Sequence, residues 1–227
     1  MIHENIEFDF YFIRHGESES NVNPGMAIAL GANAPMTDRG HRQAEAAGER
    51  LGREGVKFDK IYTSSLFRAV QTTEGVLRAM GIPDAEFEQV DDIIEQQPSP
   101  GREKLDKYVM TPDDFIVRAE KGRFFKDPDH ETLRSVERRA SNWIEDEIIF
   151  NSEWYEKPGP HTIAIVSHGG TIRTLFHYIA GIDNRLAMRS DLFNCSISRF
   201  RFGKLGWSIG SINDSSHTLA LGDIARK

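Results

Sequence analysis

The order of apolar and polar positions predicts strands that alternate with helices along most of the chain. Phe8, Phe10 and Phe12 occupy every second position, which is typical of a β-strand with one buried face. Residues 162–166 are an uninterrupted β-branched and apolar run, which is typical of a buried parallel strand. The same patterns predict strands over 58–63 and 87–94, helices over 38–52, 66–80, 133–150 and 172–180, and a hairpin over 196–212. This alternation predicts an α/β fold built on a layered sheet.

Several residues are predicted to set the ends of these elements. Thr37 precedes the first long helix as a cap residue, and Ser64 and Ser65 are predicted to cap the second. Gly81 and Gly181 are predicted to end the helices that they follow.

The segment over about 96–130 interrupts the pattern. Proline and glycine open it at Pro98, Pro100 and Gly101, and basic and acidic residues are then mixed without a clear period. Because 227 residues suit one domain, we interpret residues 1–227 as a single domain that carries 96–130 as a small cap or insertion. The basic residues 102–126 either line the mouth of a site or form a solvated surface, and the interleaved acids favour the surface.

Composition and charge exclude several classes of function. The net charge of −7 disfavours a nucleic-acid partner, which would require a basic surface. The longest apolar runs are far shorter than the roughly 20 residues that a membrane helix needs. The first residues lack the basic and apolar regions of a secretory signal, so we expect a cytoplasmic protein without a membrane partner. Cys195 is the only cysteine, so neither an internal disulfide nor a multi-thiolate metal site can form.

Candidate chemistry is concentrated where two predicted strands end. One strand leads into Arg14-His15-Gly16 and the other into Ser167-His168-Gly169-Gly170. Ligands of α/β sheets bind beyond the carboxyl ends of the strands, so we expect the two loops to share a site. Either histidine alone would be an ordinary polar residue, whereas the pair at equivalent strand ends indicates a function.

The residues around these histidines suit an anionic ligand. Arg14, Asn21 and Arg68 are candidate ligands of a phosphate. A guanidinium group can donate two parallel hydrogen bonds to phosphate oxygens. Backbone N–H groups near Gly16 and Gly169 are further candidate donors, since glycine allows a close approach. A metal site on His15 and His168 lacks a clear third ligand and is disfavoured.

Four blocks in this order resemble the histidine phosphatase superfamily, also called the phosphoglycerate mutase-like family. The blocks cover residues 13–18 with Asn21, 36–40 with Gln43 and Ala44, 62–69 with Gln71 and Thr72, and 166–170. An Arg-His-Gly tripeptide alone is a weak signal, whereas four ordered blocks spread over the chain are a strong one. The resemblance implies a three-layer α/β/α sandwich with a mostly parallel sheet.

The resemblance also implies roles for individual residues. His15 would be the nucleophile that forms a phosphohistidine, while Arg14, Arg68 and His168 hold the phosphate and Asn21 helps to position it. Neither a metal nor another cofactor is then needed. The nearby arginines should favour the neutral, nucleophilic imidazole by like-charge repulsion.

A carboxylic acid after the third strand would protonate the leaving oxygen in this family. Glu95 fits best by position, with Asp91 and Asp92 as alternatives. A glycine usually follows the acid within a few residues, whereas here residues 96–100 intervene before Gly101.

Three functions stay open at the level of the sequence. Cofactor-dependent mutases of this family carry a Glu-Arg-His-Tyr-Gly-like block after the third strand, where this chain has Glu95-Gln96-Gln97-Pro98. This difference favours a phosphatase acting on small phosphorylated metabolites over a phosphoglycerate mutase. A non-catalytic phospho-ligand-binding module is the third candidate. The identity of the substrate is undetermined, and an exposed edge strand leaves a homodimer as an option.

Overall fold

The computed structural model describes residues 6–23, 34–96, 131–157 and 159–222, apart from the side chains of residues 184 and 185. The strands are β1 (Ile6–Arg14), β2 (Lys60–Ser64), β3 (Glu88–Val90), β4 (Gly159–Ser167), β5 (Ile197–Gly203) and β6 (Gly206–Asp214). The α-helices are α1 (Glu19–Val22), α2 (Asp38–Arg53), α3 (Phe67–Ala79), α4 (Leu133–Trp143), α5 (Gly169–Ala180) and α6 (Asn184–Arg189). Short 3-10 helices cover Asp91–Ile93, Ser152–Glu156 and Ser216–Leu221, and a π-helical turn over Ile144–Ile149 extends α4.

The described strands form one sheet in the order β3-β2-β4-β1-β5-β6. The first four of these strands run parallel, and β5 and β6 add an antiparallel hairpin at one edge. β1 pairs with β4 from Ile6 opposite Gly159 to Arg14 opposite Ser167. Because the two strands end in register, the residues that follow them, His15 and His168, emerge side by side.

Helices cover both faces of the sheet. Phe8, Phe10 and Phe12 of β1 belong to one buried cluster with residues of α4 and α5, whereas Tyr11 and Ile13 belong to a second cluster with residues of α2 and α3. Successive side chains of a strand point to opposite faces, which explains this division. The three-layer α/β/α sandwich with a mostly parallel sheet is therefore confirmed.

Most predicted element ends agree with the structure, and two do not. Thr37 caps α2 by accepting a hydrogen bond from the Gly40 N–H group at 3.1 Å, and α5 ends at Gly181, whose φ is 61°. The predicted cap at Ser64 and Ser65 is wrong, because α3 begins after Leu66 and Ser64 is still part of β2.

The third strand is also shorter than predicted. β3 ends at Val90 because residues 91–93 turn into a 3-10 helix, which directs the chain across the carboxyl edge of the sheet. The proposed cap and its basic residues lie almost entirely outside the described part of the chain. Of the residues that are described, none belongs to a helix both long and apolar enough to cross a membrane.

Candidate active site

The two histidines predicted from the strand ends lie together beneath the surface. His15 is 2% exposed, His168 is fully buried, and their ring centroids are 5.0 Å apart. The backbone N–H group of His15 donates to the carbonyl of Ser167 at 2.9 Å, so the β1–β4 pairing continues to the histidine itself. The sheet thus fixes the backbone from which both imidazoles project.

The hydrogen bonds of His15 determine which ring nitrogen can react. Nδ1 lies 2.7 Å from the carbonyl oxygen of Gly16, which can only accept, so Nδ1 carries the proton. The lone pair is then on Nε2, where it accepts a long hydrogen bond of 3.3 Å from Nε of Arg68. The arrangement leaves Nε2 as the nucleophilic atom and places a cation beside it.

Arg68 reaches His15 because it lies in the first turn of α3. It is 7% exposed, and its backbone carbonyl accepts from the hydroxyl of Thr72, one turn later, at 2.7 Å. The same Thr72 oxygen accepts from the Gly16 N–H group at 2.9 Å. Thr72 therefore links the start of α3 to the loop that carries His15.

His168 presents a different nitrogen to the site. Its Nε2 lies 2.7 Å from Oγ of Ser64, and that oxygen also accepts from the Leu66 N–H group at 3.3 Å. Ser64 can therefore give its own proton to Nε2, which leaves the proton of the neutral ring on Nδ1. Among the residues that the structure describes, none hydrogen-bonds to this buried Nδ1. A buried donor that lacks a protein partner suits an anionic ligand.

Two further guanidinium groups flank Gly169 at the start of α5. A Cβ atom on Gly169 would lie 3.3 Å from Nε of Arg14 and 3.2 Å from Nη1 of Arg173, so glycine leaves room for both. Arg14 donates to the carbonyl of Leu192, and Arg173 donates to that of Ser190 at 2.9 Å. Nε of Arg14 is a second buried nitrogen without a partner in the described part of the chain.

Burial and this concentration of cations favour neutral histidines. Burial lowers the pKa of His15 well below its ordinary value of 6.5, and Arg68 and Arg14 lower it further. Burial, then His15 and Arg68, likewise lower the pKa of His168. Burial and Arg173 lower the pKa of Arg14 to about 10. The repulsion predicted from the sequence is thus present at His15, although burial is the larger cause.

We expect neither His15 nor His168 to titrate near pH 6.5, where free histidine does, because burial lowers the pKa of both rings well below that value. Since the unfolded chain binds these protons and the folded chain does not, the two residues reduce stability as the pH falls below 6.5. The check is an NMR titration of the imidazole C–H signals, assigned by comparison with single His→Gln variants. Titration of either ring near pH 6.5 would contradict the prediction.

The candidate acid Glu95 lies at the rim of this cluster. Its Oε2 accepts from the Gly170 N–H group at 3.1 Å, and its charge acts to raise the pKa of Arg14, Arg68 and Arg173 against the effect of burial. A Cβ atom on Gly170 would lie 2.3 Å from Glu95 Oε1, so this close approach requires glycine.

The two alternative acids have other surroundings. Asp91 and Asp92 are both exposed, and the carboxylate of Asp91 accepts from the hydroxyl of Ser65. Glu95 is the carboxylate with the largest effect on the pKa of Arg14 and of Arg68. The geometry therefore favours Glu95 as the acid.

One predicted phosphate donor, the backbone of Gly16, has a structural partner instead, while Asn21 is held through the oxygen of its amide, which is not the atom that would donate to a phosphate. The Gly16 N–H group, expected to face the ligand, donates to Thr72 and is not available for this purpose. The amide oxygen of Asn21 accepts from the backbone N–H of Ser18 at 3.0 Å and from Nδ2 of Asn194 at 3.3 Å. Asn194 also donates to the carbonyl of His15 at 3.0 Å, so Asn21 helps, through Asn194, to hold the loop that carries His15.

Sequence reasoning missed Ser64, Thr72 and Arg173 as members of the site. Thr72 lies four residues after Arg68 on one face of α3, a spacing that could have indicated the contact. Ser64 ends β2 at the same edge of the sheet as the histidines, but it resembles an ordinary cap residue. Arg173 follows His168 by five residues, a spacing that indicates no shared face.

The arrangement allows Nε2 of His15 to attack a phosphoryl group while the nearby cations stabilise its negative charge. A neutral nitrogen nucleophile lies beside Arg68, near a second neutral histidine with a donor and near Arg14. Fixed cations of this kind neutralise the charge on a phosphoryl group in transfer. No group of three or more histidine, cysteine or acidic residues in the described ranges could hold a metal ion.

Comparisons with known proteins agree with this geometry. The family model of the histidine phosphatase superfamily (branch 1) matches residues 10–215. A 2,3-bisphosphoglycerate-dependent phosphoglycerate mutase of Bartonella tribocorum is 28% identical over 186 residues, which are 79% of this chain and 85% of that protein.

Two solved structures show the same fold at low sequence identity. A phosphoglycerate mutase of Bacillus anthracis matches with a TM-score of 0.70 and 21% identity, over 95% of this chain and 97% of the other. A phosphoserine phosphatase of Entamoeba histolytica matches with a TM-score of 0.66 and 22% identity, over 92% of this chain and 98% of the other. The fold thus carries both reactions, and neither structure decides between them.

Proposed function

The chain belongs to the histidine phosphatase superfamily, and from this we propose that it hydrolyses phosphomonoesters of small metabolites through a phosphohistidine at His15, without a metal ion. The observation that carries the proposal is the pairing of Nε2 of His15 with Nε of Arg68, beside the buried, unpartnered Nδ1 of His168. A bound phosphate would take the place of the long Arg68–His15 hydrogen bond. Arg68 would then donate to the phosphate oxygens, and the lone pair of His15 would face the phosphorus atom.

In the first step Nε2 of His15 attacks phosphorus, and the bond from phosphorus to the ester oxygen breaks. The ester oxygen takes a proton from the carboxylic acid of Glu95 and leaves as an alcohol. Arg14, Arg68 and Nδ1–H of His168 bind the equatorial oxygens while their charge is redistributed. The carbonyl of Gly16 stabilises the positive charge that the imidazole acquires, because it accepts from Nδ1.

In the second step a water molecule attacks the phosphohistidine. The carboxylate of Glu95 takes a proton from this water, the bond between phosphorus and nitrogen breaks, and inorganic phosphate leaves. His15 returns to its neutral form and Glu95 to its protonated form, so the cycle is balanced. Covalent catalysis of this kind divides one difficult displacement into two easier ones.

A phosphatase is favoured over a mutase by the residues that follow β3. Glu95 is followed by Gln96-Gln97-Pro98, where the mutases of the family have an Arg-His-Tyr-Gly-like sequence. A mutase must bind a bisphosphate and protect its phosphohistidine from water, which requires additional groups at the mouth of the site. The mutase remains the second candidate, because curated relatives at 28% identity carry that name.

We expect the native chain to release inorganic phosphate from p-nitrophenyl phosphate and from a panel of small phosphomonoesters in the presence of EDTA. The site uses its own side chains as nucleophile, acid and cations, so chelation should leave the rate unchanged. The measurement is the initial rate of phosphate release with and without EDTA. Activity that disappears with EDTA and returns with a divalent cation would contradict metal independence.

The same preparation distinguishes the other functions. Interconversion of 2- and 3-phosphoglycerate that depends on added 2,3-bisphosphoglycerate, with little phosphate release, would identify a mutase. Saturable binding of phosphorylated ligands without any turnover would identify a binding module.

A further inference from the structure

The segment that carries Glu95 is held by several side-chain hydrogen bonds to its backbone carbonyls. The carbonyl of Ile93 accepts from the hydroxyl of Ser167 at 2.7 Å, and that of Ile94 accepts from the hydroxyl of Thr171 at 2.7 Å. Both hydroxyls belong to the structure around His168, at the end of β4 and the start of α5. Residues 93–95 are thereby attached to the element that carries the second histidine.

A single arginine of α4 completes this attachment from the other side. The guanidinium of Arg139 donates to the carbonyls of Asp92, Ile94 and Glu95, at 2.7 Å for Ile94 and 3.3 Å for Glu95. Its Nε donates to Oε1 of Glu131 at 2.6 Å, and the two side chains are only 18% and 17% exposed. The carboxylate of Glu131 therefore fixes the plane of the Arg139 guanidinium, which binds the three carbonyls.

We propose that Arg139 is a positioning residue for proton transfer by Glu95, an inference that rests on the proposed function. Its carbonyl contacts include the one immediately before Glu95 and that of Glu95 itself, so they fix where the side chain begins. The Gly170 N–H group fixes the other end, at Oε2. A carboxylic acid must lie within hydrogen-bond reach of the leaving oxygen, and small displacements reduce its effect strongly.

The chemistry of guanidinium explains why arginine is required here. A planar fork with five donors can bind several carbonyls and one carboxylate at once, whereas an ammonium group on a flexible stem cannot maintain this geometry. The helix spacing also suits the task, because Glu131 precedes α4 and Arg139 lies two turns later on it. Arg138, the preceding residue on the same helix, is exposed and supplies a matched control.

The test is the dependence of kcat/KM on the basicity of the leaving group. Poor leaving groups need a proton in the transition state and good ones do not. We expect Arg139→Lys to lower kcat/KM about 30-fold for alkyl phosphates, a partial loss below the roughly 10²–10⁴-fold that general acid catalysis supplies in full, and less than about threefold for p-nitrophenyl phosphate. Since kcat/KM reports the steps up to release of the alcohol, slow hydrolysis of the phosphohistidine does not obscure the effect.

Three further variants make the result decisive. Glu131→Gln keeps the arginine and removes the carboxylate that orients it, so we expect the same selective loss at smaller size even if Arg139→Lys folds poorly. Arg138→Lys should leave both substrates unchanged. Glu95→Gln should show the full selective loss.

Equal losses on alkyl and p-nitrophenyl phosphates in both Arg139→Lys and Glu131→Gln would overturn the positioning role and indicate general structural damage. No loss on either substrate would overturn it as well. Equal losses in Glu95→Gln would instead overturn Glu95 as the acid, and the role of Arg139 with it. Such a result would leave the phosphohistidine at His15 to be judged from labelling of the enzyme.

Discussion

Replacement of His15 by asparagine is expected to lower kcat/KM by about four orders of magnitude or more, as loss of a covalent nucleophile does in other hydrolases. Asparagine can keep the hydrogen bond to the Gly16 carbonyl through its amide nitrogen, but it has no lone pair in the place of Nε2. The variant therefore removes the chemistry and leaves the local structure largely in place. The measurement is the initial rate of phosphate release from p-nitrophenyl phosphate.

Chemical trapping gives a second readout of the same prediction. Rapid quenching with base of a reaction on radioactive substrate should leave phosphate on the native chain in a linkage that acid hydrolyses, and none on His15→Asn. His41→Gln, in a half-buried histidine of α2 outside the site, is the matched control and should keep both rate and label. Undiminished labelling of His15→Asn would place the phosphoryl group on another residue and contradict the mechanism.

The sheet and its helices could be predicted from the sequence because each element carries its own periodic signal. β1 alternates Phe8, Phe10 and Phe12, and the apolar run of β4 marks a strand that is buried on both faces. Once both strands are assigned, the position of His15 and His168 at one edge follows from the topology of parallel strands. The pairing of the two histidines could therefore be predicted from the sequence alone.

Contacts between distant segments lack such a signal. The bond of Ser64 to His168 joins residues 104 positions apart, and that of Gly16 to Thr72 joins residues 56 apart. Such pairings depend on how helices and strands pack, which a single sequence does not record. The predicted cap at Ser64 was wrong for a related reason, because the pairing of β2 with β3 extends to Ser64 and α3 begins only after Leu66.

Glu95, the proposed acid, shows both what the sequence can predict and what it cannot. Position after β3 indicates Glu95, but the spacing does not distinguish it from Asp91 and Asp92. The distinction comes from the 3-10 turn at residues 91–93 and from the bond of the Glu95 carboxylate to Gly170, neither of which has a sequence pattern of its own. Arg139 was likewise indistinguishable from the other arginines of α4 until its three carbonyl partners were known.

Replacement of Arg68 by glutamine is expected to lower kcat/KM about 10³-fold, the lower end of the effect of a catalytic arginine in phosphoryl transfer. Glutamine keeps a neutral donor near Nε2 of His15 but removes the charge that opposes the transferring phosphoryl group. Arg68 is also the charged neighbour with the largest effect on the pKa of His15, which it lowers. The variant should therefore raise the pH at which the His15 NMR signal titrates, while burial still keeps that pKa below its ordinary value.

The control for this variant lies on the same helix. Arg78 is 60% exposed at the far end of α3, where it pairs with Glu45 at 3.7 Å, and Arg78→Gln removes an equal charge away from the site. We expect it to leave both the rate and the His15 titration unchanged. Loss of the Arg68 charge should cause both the lower kcat/KM and the higher pKa of His15, so the two quantities must change together. A large loss of rate with an unchanged titration would mean that Arg68 does not act on His15 in solution, and an unchanged rate would exclude it from the phosphate site.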